Sequence, residues 1–153
     1  MHETEALHIR RLTAEDLEPL HRLLSDPAVM RYLEPPFTRA QTEAFLQKAG
    51  MGREPLIWAV EDGRGFAGYV IYHPYDETSM ELGWVLASDR WGRGYALALT
   101  RQMICRARES GRDAVIECHP QQAATRHIAE KLGFRPCGMD GGCCVYRLAG
   151  KYE

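Results

Sequence analysis

The chain has 153 residues, a formal net charge of −2 at pH 7, 45% hydrophobic residues and 26% charged residues. This length fits one domain with its own core, and the composition excludes disorder, collagen and a long coiled coil. The slight acidity speaks against a sequence-independent nucleic-acid binder, and no apolar run approaches the roughly 18 residues of a membrane span.

Met1 to Leu7 carries Glu3 and Glu5 and no apolar stretch, so no secretion signal is expected and a cytoplasmic location is. There are 5 cysteines, an odd number, and no C-x-x-C pair. The expectation is reduced thiols packed as small hydrophobes, with no metal site and no disulfide framework.

His8 to Leu12 reads as a first strand. Thr13 then caps a helix, with Asp16 three residues on and Leu17, Leu20, Leu23 and Leu24 as the apolar stripe. Pro27 follows Asp26 at a first helical position and opens a short turn through Val29, Met30 and Leu33. Thr38 with Gln41 forms a capping box, and the helix it starts is expected to reach about Ala49 and stop at Gly50. Three strands come next: Leu56 to Glu61, Phe66 to Tyr72 closed by Pro74, and Met80 to Leu86. Their short connections imply an antiparallel meander. On the third of these, alternation puts Leu82, Trp84 and Leu86 toward a core, and Glu81, Gly83 and Val85 on the opposite side.

The period then changes. Tyr95 to Ser110 fits a helix with Ala96, Leu99, Thr100, Met103, Ile104 and Ala107 on one face. Ala114 to Cys118 is a strand, and Gln122 to Leu132 a helix closed by Gly133. Strands around Arg135 to Met139 and Cys143 to Leu148 are joined by Asp140-Gly141-Gly142. The fold class is α/β (α+β): a mixed, mostly antiparallel central sheet with flanking helices.

The most informative segment is Trp91-Gly92-Arg93-Gly94-Tyr95-Ala96, between a strand and a helix. Two glycines let the backbone turn tightly and let a ligand approach. The unpaired N–H groups of the helix start then form an anion site suited to phosphate. Arg90 and Arg93 add positive charge nearby. The segment is not a P-loop, because no Gly-Lys-Ser/Thr occurs. It is not the dinucleotide fingerprint either, because Leu97 stands where the third small residue belongs.

Here the chain resembles the GNAT superfamily of acyl-CoA-dependent N-acetyltransferases, and most of all its RimJ/RimL-type branch. Glu81-Leu82-Gly83-Trp84-Val85-Leu86 is similar to that branch's E-I-G-Y-x-L strand. Trp91 to Ala96 is similar to its W-G-K-G-Y-A loop, with Trp91 in place of the superfamily's Gln/Arg. Glu130-Lys131-Leu132-Gly133-Phe134 is similar to the E-K-x-G-F that ends the late helix. The ordered segments run through nearly the whole chain, which the resemblance makes one N-acetyltransferase domain over residues 1–153.

The resemblance implies acetyl-CoA as co-substrate and a small-molecule or peptide amine as acceptor. The backbone of Trp84, Val85 and Leu86 would pair with the pantetheine arm. The amides of Gly92, Arg93, Gly94, Tyr95 and Ala96 would hold the pyrophosphate. Gln122 and Thr125 stand where the family has N-x-x-S/A, and the chain contains no Asn. Ala129 stands where many members place the Tyr that protonates the leaving thiolate. A monomer or homodimer is expected.

Acetyl transfer needs a neutral amine, and an ammonium of pKa near about 10.4 is mostly protonated at pH 7. Glu81, beside the implied thioester site, is the first candidate for the base, with Glu117 and His119 next. The alternative reading is a non-catalytic acyl-CoA-binding or sensing module, distinguished by CoA binding without thiol release.

Overall fold

The computed structural model describes residues 6–150, so most of the segment read for a leader lies outside the described residues. Among the described residues, seven strands and five α-helices follow one another: β1 (His8–Arg10), α1 (Leu17–Leu24), α2 (Pro27–Met30), α3 (Arg39–Phe45), β2 (Ile57–Asp62), β3 (Gly65–Asp76), β4 (Ser79–Leu86), α4 (Tyr95–Glu109), β5 (Asp113–Cys118), α5 (Ala123–Lys131), β6 (Arg135–Asp140) and β7 (Cys143–Leu148). The strands hydrogen-bond in the order β1-β2-β3-β4-β5-β7-β6. β1–β2, β2–β3, β5–β7 and β6–β7 are antiparallel, and β4–β5 is parallel. This is the mixed, mostly antiparallel sheet expected.

The chain forms two compact units. One holds the described residues up to Ile71 together with Trp84–Tyr95; the other holds Tyr72–Gly83 and the described residues from Ala96 onward. In the first, Leu20, Leu23 and Leu24 of α1 form a buried cluster with Met30, Leu46, Ile57, Ala59, Tyr69 and Val85. The leucine spacing puts one face of α1 inward, as the period requires. α1 does not start at Thr13. A 3-10 turn, Ala14–Asp16, comes first, and the Asp16 carboxylate reaches back to the Thr13 N–H at 2.8 Å. In the second unit, Leu99, Thr100, Met103, Ile104 and Ala107 are buried along α4, and Ala114, Val115 and Ile116 along β5.

Several boundaries differ from the sequence reading for local reasons. β1 stops at Arg10, whose guanidinium binds Asp16 at 2.8 Å and Glu61 at 2.8 Å. The capping box of α3 is present, with Thr38 N–H donating to Gln41 at 2.8 Å and Gln41 N–H to Thr38 at 3.2 Å. The α-helix then gives way at Leu46 to a wider π turn through Gly50, closed by Met51 N–H on Leu46 C=O at 2.9 Å. Gly50 is therefore a packing residue, since a Cβ there would lie 2.7 Å from Leu12 Cδ1. β3 runs through Pro74 to Asp76 instead of closing. Its ladder with β2 ends at Ile57 opposite Ile71, so Pro74 lies in a stretch that has no β2 partner.

The two-sided reading of β4 also changes. Leu82 and Leu86 are buried as expected, but Val85, on the Glu81 side, is buried in the α1 cluster. The C-terminal end of β4 is thus covered on both faces. Alternation alone could not reveal this, because a strand packed on two sides loses its polar face.

Candidate active site

The end of β4 and the loop after it belong to the first unit. Trp84, Val85 and Leu86 close the strand. Gly68 of β3 lies against them so closely that a Cβ on it would sit 2.1 Å from Val85 O. Ala87 N–H donates to Ala67 O at 2.9 Å. A 3-10 turn, Ser88–Arg90, follows, and the Trp91 indole N–H donates to Leu86 O at 2.9 Å.

Gly92 and Gly94 have φ of 76° and 79°, the left-handed region that favours glycine. A Cβ at either would meet nothing within 4 Å. Gly92, Arg93 and Gly94 are exposed, so the backbone itself is what this turn presents. Positive and negative φ alternating along such a turn converge successive N–H groups into an anion-binding concavity. The chain then enters α4, 15 residues long and with no acidic residue in its first turn. Its unpaired amides add the positive end of the helix dipole. These residues fit a pyrophosphate.

The two arginines of the loop have different roles. Arg90, 8% exposed, is bound on two edges: its Nε and Nη2 donate to Asp62 at 2.9 and 3.1 Å, and its Nη1 to Asp89 at 3.0 Å. Its charge is neutralised inside the protein, which corrects the expectation that it adds to the anion site. Arg93 is exposed and, among the described residues, has no recorded ion-pair partner, so it is the loop's available cation. The Tyr95 hydroxyl donates to Asp62 at 2.8 Å. Hydrogen bonds from Arg90 hold the Asp62 carboxyl well below the usual carboxylate range, with the Arg64 amide and Tyr95 hydroxyl adding to the effect and burial opposing it. Sequence reading missed Asp62; its one signal was a charged residue ending an apolar strand.

The candidate bases lie in the second unit. Ladder pairing of β4 with β5 joins Ser79, Met80 and Glu81 to Asp113, Ala114 and Val115. Glu81 is therefore level with Val115, and Glu117 lies two residues further along the same face. The Glu81 carboxylate stands 3.9 Å from His73 Nε2 on β3. Burial pushes the Glu81 carboxyl up; the His73 ring opposes this and the Glu117 charge adds to it. Tyr75, two residues from His73, is also raised, by burial first and then by the charges of Glu117, Asp140 and Glu81. His73 and Tyr75 were missed because β3 was ended at Tyr72; its continuation puts them on one face by period two.

Ring hydrogen bonds fix both histidines. His73 Nδ1 lies 2.9 Å from Pro74 O and so carries a proton, leaving Nε2 toward Glu81. His119 Nδ1 accepts from Gln121 N–H at 3.1 Å, which puts the neutral ring's proton on Nε2 and makes that nitrogen a donor. Gln122 stands at the N-cap position of α5 without a side-chain cap hydrogen bond; its Oε1 instead accepts from His119 N–H at 2.8 Å. Its amide nitrogen is the end suited to donate to a ligand carbonyl. Thr125 is half-buried in the first turn of α5, and Ala129 is fully buried at 0%. A tyrosine does not fit at Ala129 without displacing its neighbours. Cys118 is buried, and burial first, then Cys144, pushes its thiol up to about 11, which makes it a poor nucleophile at neutral pH. Among the described residues no group of three or more His, Cys, Asp or Glu is placed to hold a metal ion, and no helix is long and apolar enough to cross a membrane.

The family model described as acetyltransferase (GNAT) domain matches residues 6–135. The chain belongs to the GNAT acetyltransferase family. It is 26% identical over 145 residues to the uncharacterized N-acetyltransferase YnaD of Bacillus subtilis, covering 92% of this chain and 85% of that protein. Its fold is similar to a GNAT-family acetyltransferase from Bacillus anthracis, with a TM-score of 0.80, 25% identity and 97% of each chain covered. It is also similar to a spermidine N-acetyltransferase from Vibrio cholerae solved with CoA and spermine, with a TM-score of 0.74, 22% identity and 92% of each chain covered.

Proposed function

We propose that this protein transfers an acetyl group from acetyl-CoA to a primary amine by direct attack on the thioester. The observation that carries this is the loop at the start of α4: two left-handed, unobstructed glycines, no acidic residue in the first helical turn, and an exposed Arg93. The complex of the Vibrio cholerae relative with CoA and spermine supports the same chemistry. On this reading the amides from Gly92 to Ala96 bind the pyrophosphate, and the backbone of Trp84–Leu86 aligns the pantetheine arm. Gln122 and Thr125 give further polar contact to that arm.

Glu81 is the proposed base. Burial raises its affinity for a proton toward what neutral-pH catalysis needs. The amine nitrogen attacks the carbonyl carbon, its proton passes to Glu81 directly or through water, and the C–S bond breaks to release the thiolate. His73 Nε2 lies 3.9 Å from the Glu81 carboxylate, beyond direct hydrogen bonding but near enough to act on its charge. Glu117 is the second candidate. His119 is less suited to the role, because its hydrogen bond makes Nε2 a donor. The acceptor reads as a protein N-terminus or a small amine.

The test is calorimetry with acetyl-CoA on Gly94→Val. A branched side chain at a left-handed, exposed position blocks backbone approach, and affinity is expected to fall about tenfold or more, about 1.4 kcal/mol. Unchanged affinity in the folded variant refutes the loop assignment. A panel of amines with detection of free CoA thiol tests turnover; CoA binding without thiol release across the panel favours a non-catalytic acyl-CoA-binding module.

A further inference from the structure

We propose that Asp62, Arg90 and the Tyr95 hydroxyl form a clamp that fixes the shape of the Gly92–Ala96 loop, making Asp62 and Arg90 positioning residues for the donor's pyrophosphate. The proposal rests on the reading of that loop as the pyrophosphate site. Two of the three groups flank the glycines in sequence: Arg90 lies two residues before Gly92, and Tyr95 follows Gly94. The third, Asp62, ends β2 and lies 28 and 33 residues away along the chain.

Among the described residues, the four hydrogen bonds that Asp62 accepts come from Arg90 and Tyr95, on either side of the glycines, and from the β2–β3 turn. Oδ1 accepts from Arg64 N–H at 2.9 Å and Arg90 Nη2 at 3.1 Å. Oδ2 accepts from Arg90 Nε at 2.9 Å and the Tyr95 hydroxyl at 2.8 Å. The Asp62 side chain is 0% exposed and that of Arg90 is 9% exposed. Neither charge is therefore offered to a ligand in solvent, so the pair acts through geometry.

The loop needs such an anchor. Gly92 and Gly94 have no side chains, and the space where a Cβ would lie is empty to 4 Å at both. Glycine has the largest backbone freedom to lose, so a turn of this kind does not hold its own shape. An anion site made of amides works only while those amides converge. Bolting Arg90, two residues before the glycines, and Tyr95, the residue after them, to one buried carboxylate fixes the span between. A buried ion pair is weak evidence for added stability, since apolar replacements are often as stable. Its place on either side of the two glycines is what gives it a role.

The deciding experiment uses Tyr95→Phe, which removes the hydroxyl's hydrogen bond to Asp62 and keeps the ion pair, beside Asp62→Asn, which leaves Arg90 without its buried carboxylate. Acetyl-CoA affinity is measured by calorimetry at a temperature where each variant is fully folded. Hydrogen exchange is followed by mass spectrometry on protein saturated with acetyl-CoA, since the exposed amides of Gly92 to Gly94 exchange freely until a ligand holds them. The expected result is a roughly tenfold rise in Kd for Asp62→Asn and a rise of about threefold or more for Tyr95→Phe. Faster exchange should be confined to Gly92–Ala96, with Leu99–Ala107 unchanged. If Asp62→Asn does not fold, Tyr95→Phe decides alone. A Kd within twofold of wild type in folded Tyr95→Phe overturns the clamp, as does exchange that quickens equally along α4, the mark of general loosening. Gly94→Val separates the two levels. If it raises Kd while the clamp variants do not, the loop reading stands and the clamp falls; if it too leaves Kd unchanged, the loop reading itself has failed.

Discussion

Gly68 offers a test of how tightly β3 is built against the end of β4. Its φ is 146°, and a Cβ there would lie 2.1 Å from Val85 O, 2.9 Å from Leu86 Cα and 3.1 Å from Val85 C. Ordinary contacts of a Cβ begin at about 3.4 Å, so Gly68→Ala forces backbone atoms apart by about 1 Å or more. These are main-chain atoms of a paired strand and have no rotamer to adopt. Overpacking of this kind costs about 1–3 kcal/mol, and the unfavourable φ adds about 1–2 kcal/mol. Against a total stability of about 5–15 kcal/mol, a loss of about 4 kcal/mol is large. At about 2–4 °C per kcal/mol for a chain of this size, Tm should fall by about 8–16 °C. Thermal unfolding followed by circular dichroism measures it. Gly65→Ala is the control: its φ is 105°, but nothing lies within 4 Å of its Cβ position. It carries the backbone cost alone and should lower Tm by only about 2–8 °C. Equal Tm losses for the two variants would show that the close approach at Val85 contributes nothing, and the reasoning from contact distance would fail.

Glu81→Gln should keep acetyl-CoA affinity and lose about 10²-fold to 10⁴-fold in rate near pH 7, with part of the loss recovered at high pH as free amine accumulates. Because burial raises the Glu81 carboxyl, the acid limb of the wild-type rate profile should lie above the ordinary glutamate range; near wild-type activity at neutral pH in Glu81→Gln would pass the role to Glu117. The Asp62 carboxyl is lowered, by Arg90 first; Asp16 is raised by burial but lowered overall by Arg10 and Thr13. A carboxyl depressed on folding adds stability above its unfolded value and loses it as pH falls through the folded one. Wild-type Tm should therefore drop steeply below about pH 4, and Asp16→Asn and Asp62→Asn should each flatten that drop; an unchanged slope refutes the assignment. Arg93→Ala should weaken acetyl-CoA binding by roughly two- to fivefold, with the difference shrinking in high salt, as an exposed charge on an anion requires. A salt-independent loss measured by calorimetry would mean that Arg93 acts through packing.

What the sequence determined by itself was whatever depends on near neighbours. The leucine period gave α1, the Thr38–Gln41 box gave the start of α3, and Gly92 and Gly94 before a helical run gave a left-handed turn at a helix start, because caps, periods and left-handed turns are set within a few residues. The tertiary structure decided what those signals leave open. It neutralised Arg90 with a carboxylate 28 residues earlier, a pairing that no local pattern encodes. It carried β3 through Pro74, because the ladder with β2 had already ended, and so brought His73 to Glu81. It buried Val85 on the face where alternation had put Glu81 outward, because α1 and its neighbours cover that end of the strand. A side chain's charge and exposure depend on what the rest of the chain packs against it, and that is fixed only when distant segments meet.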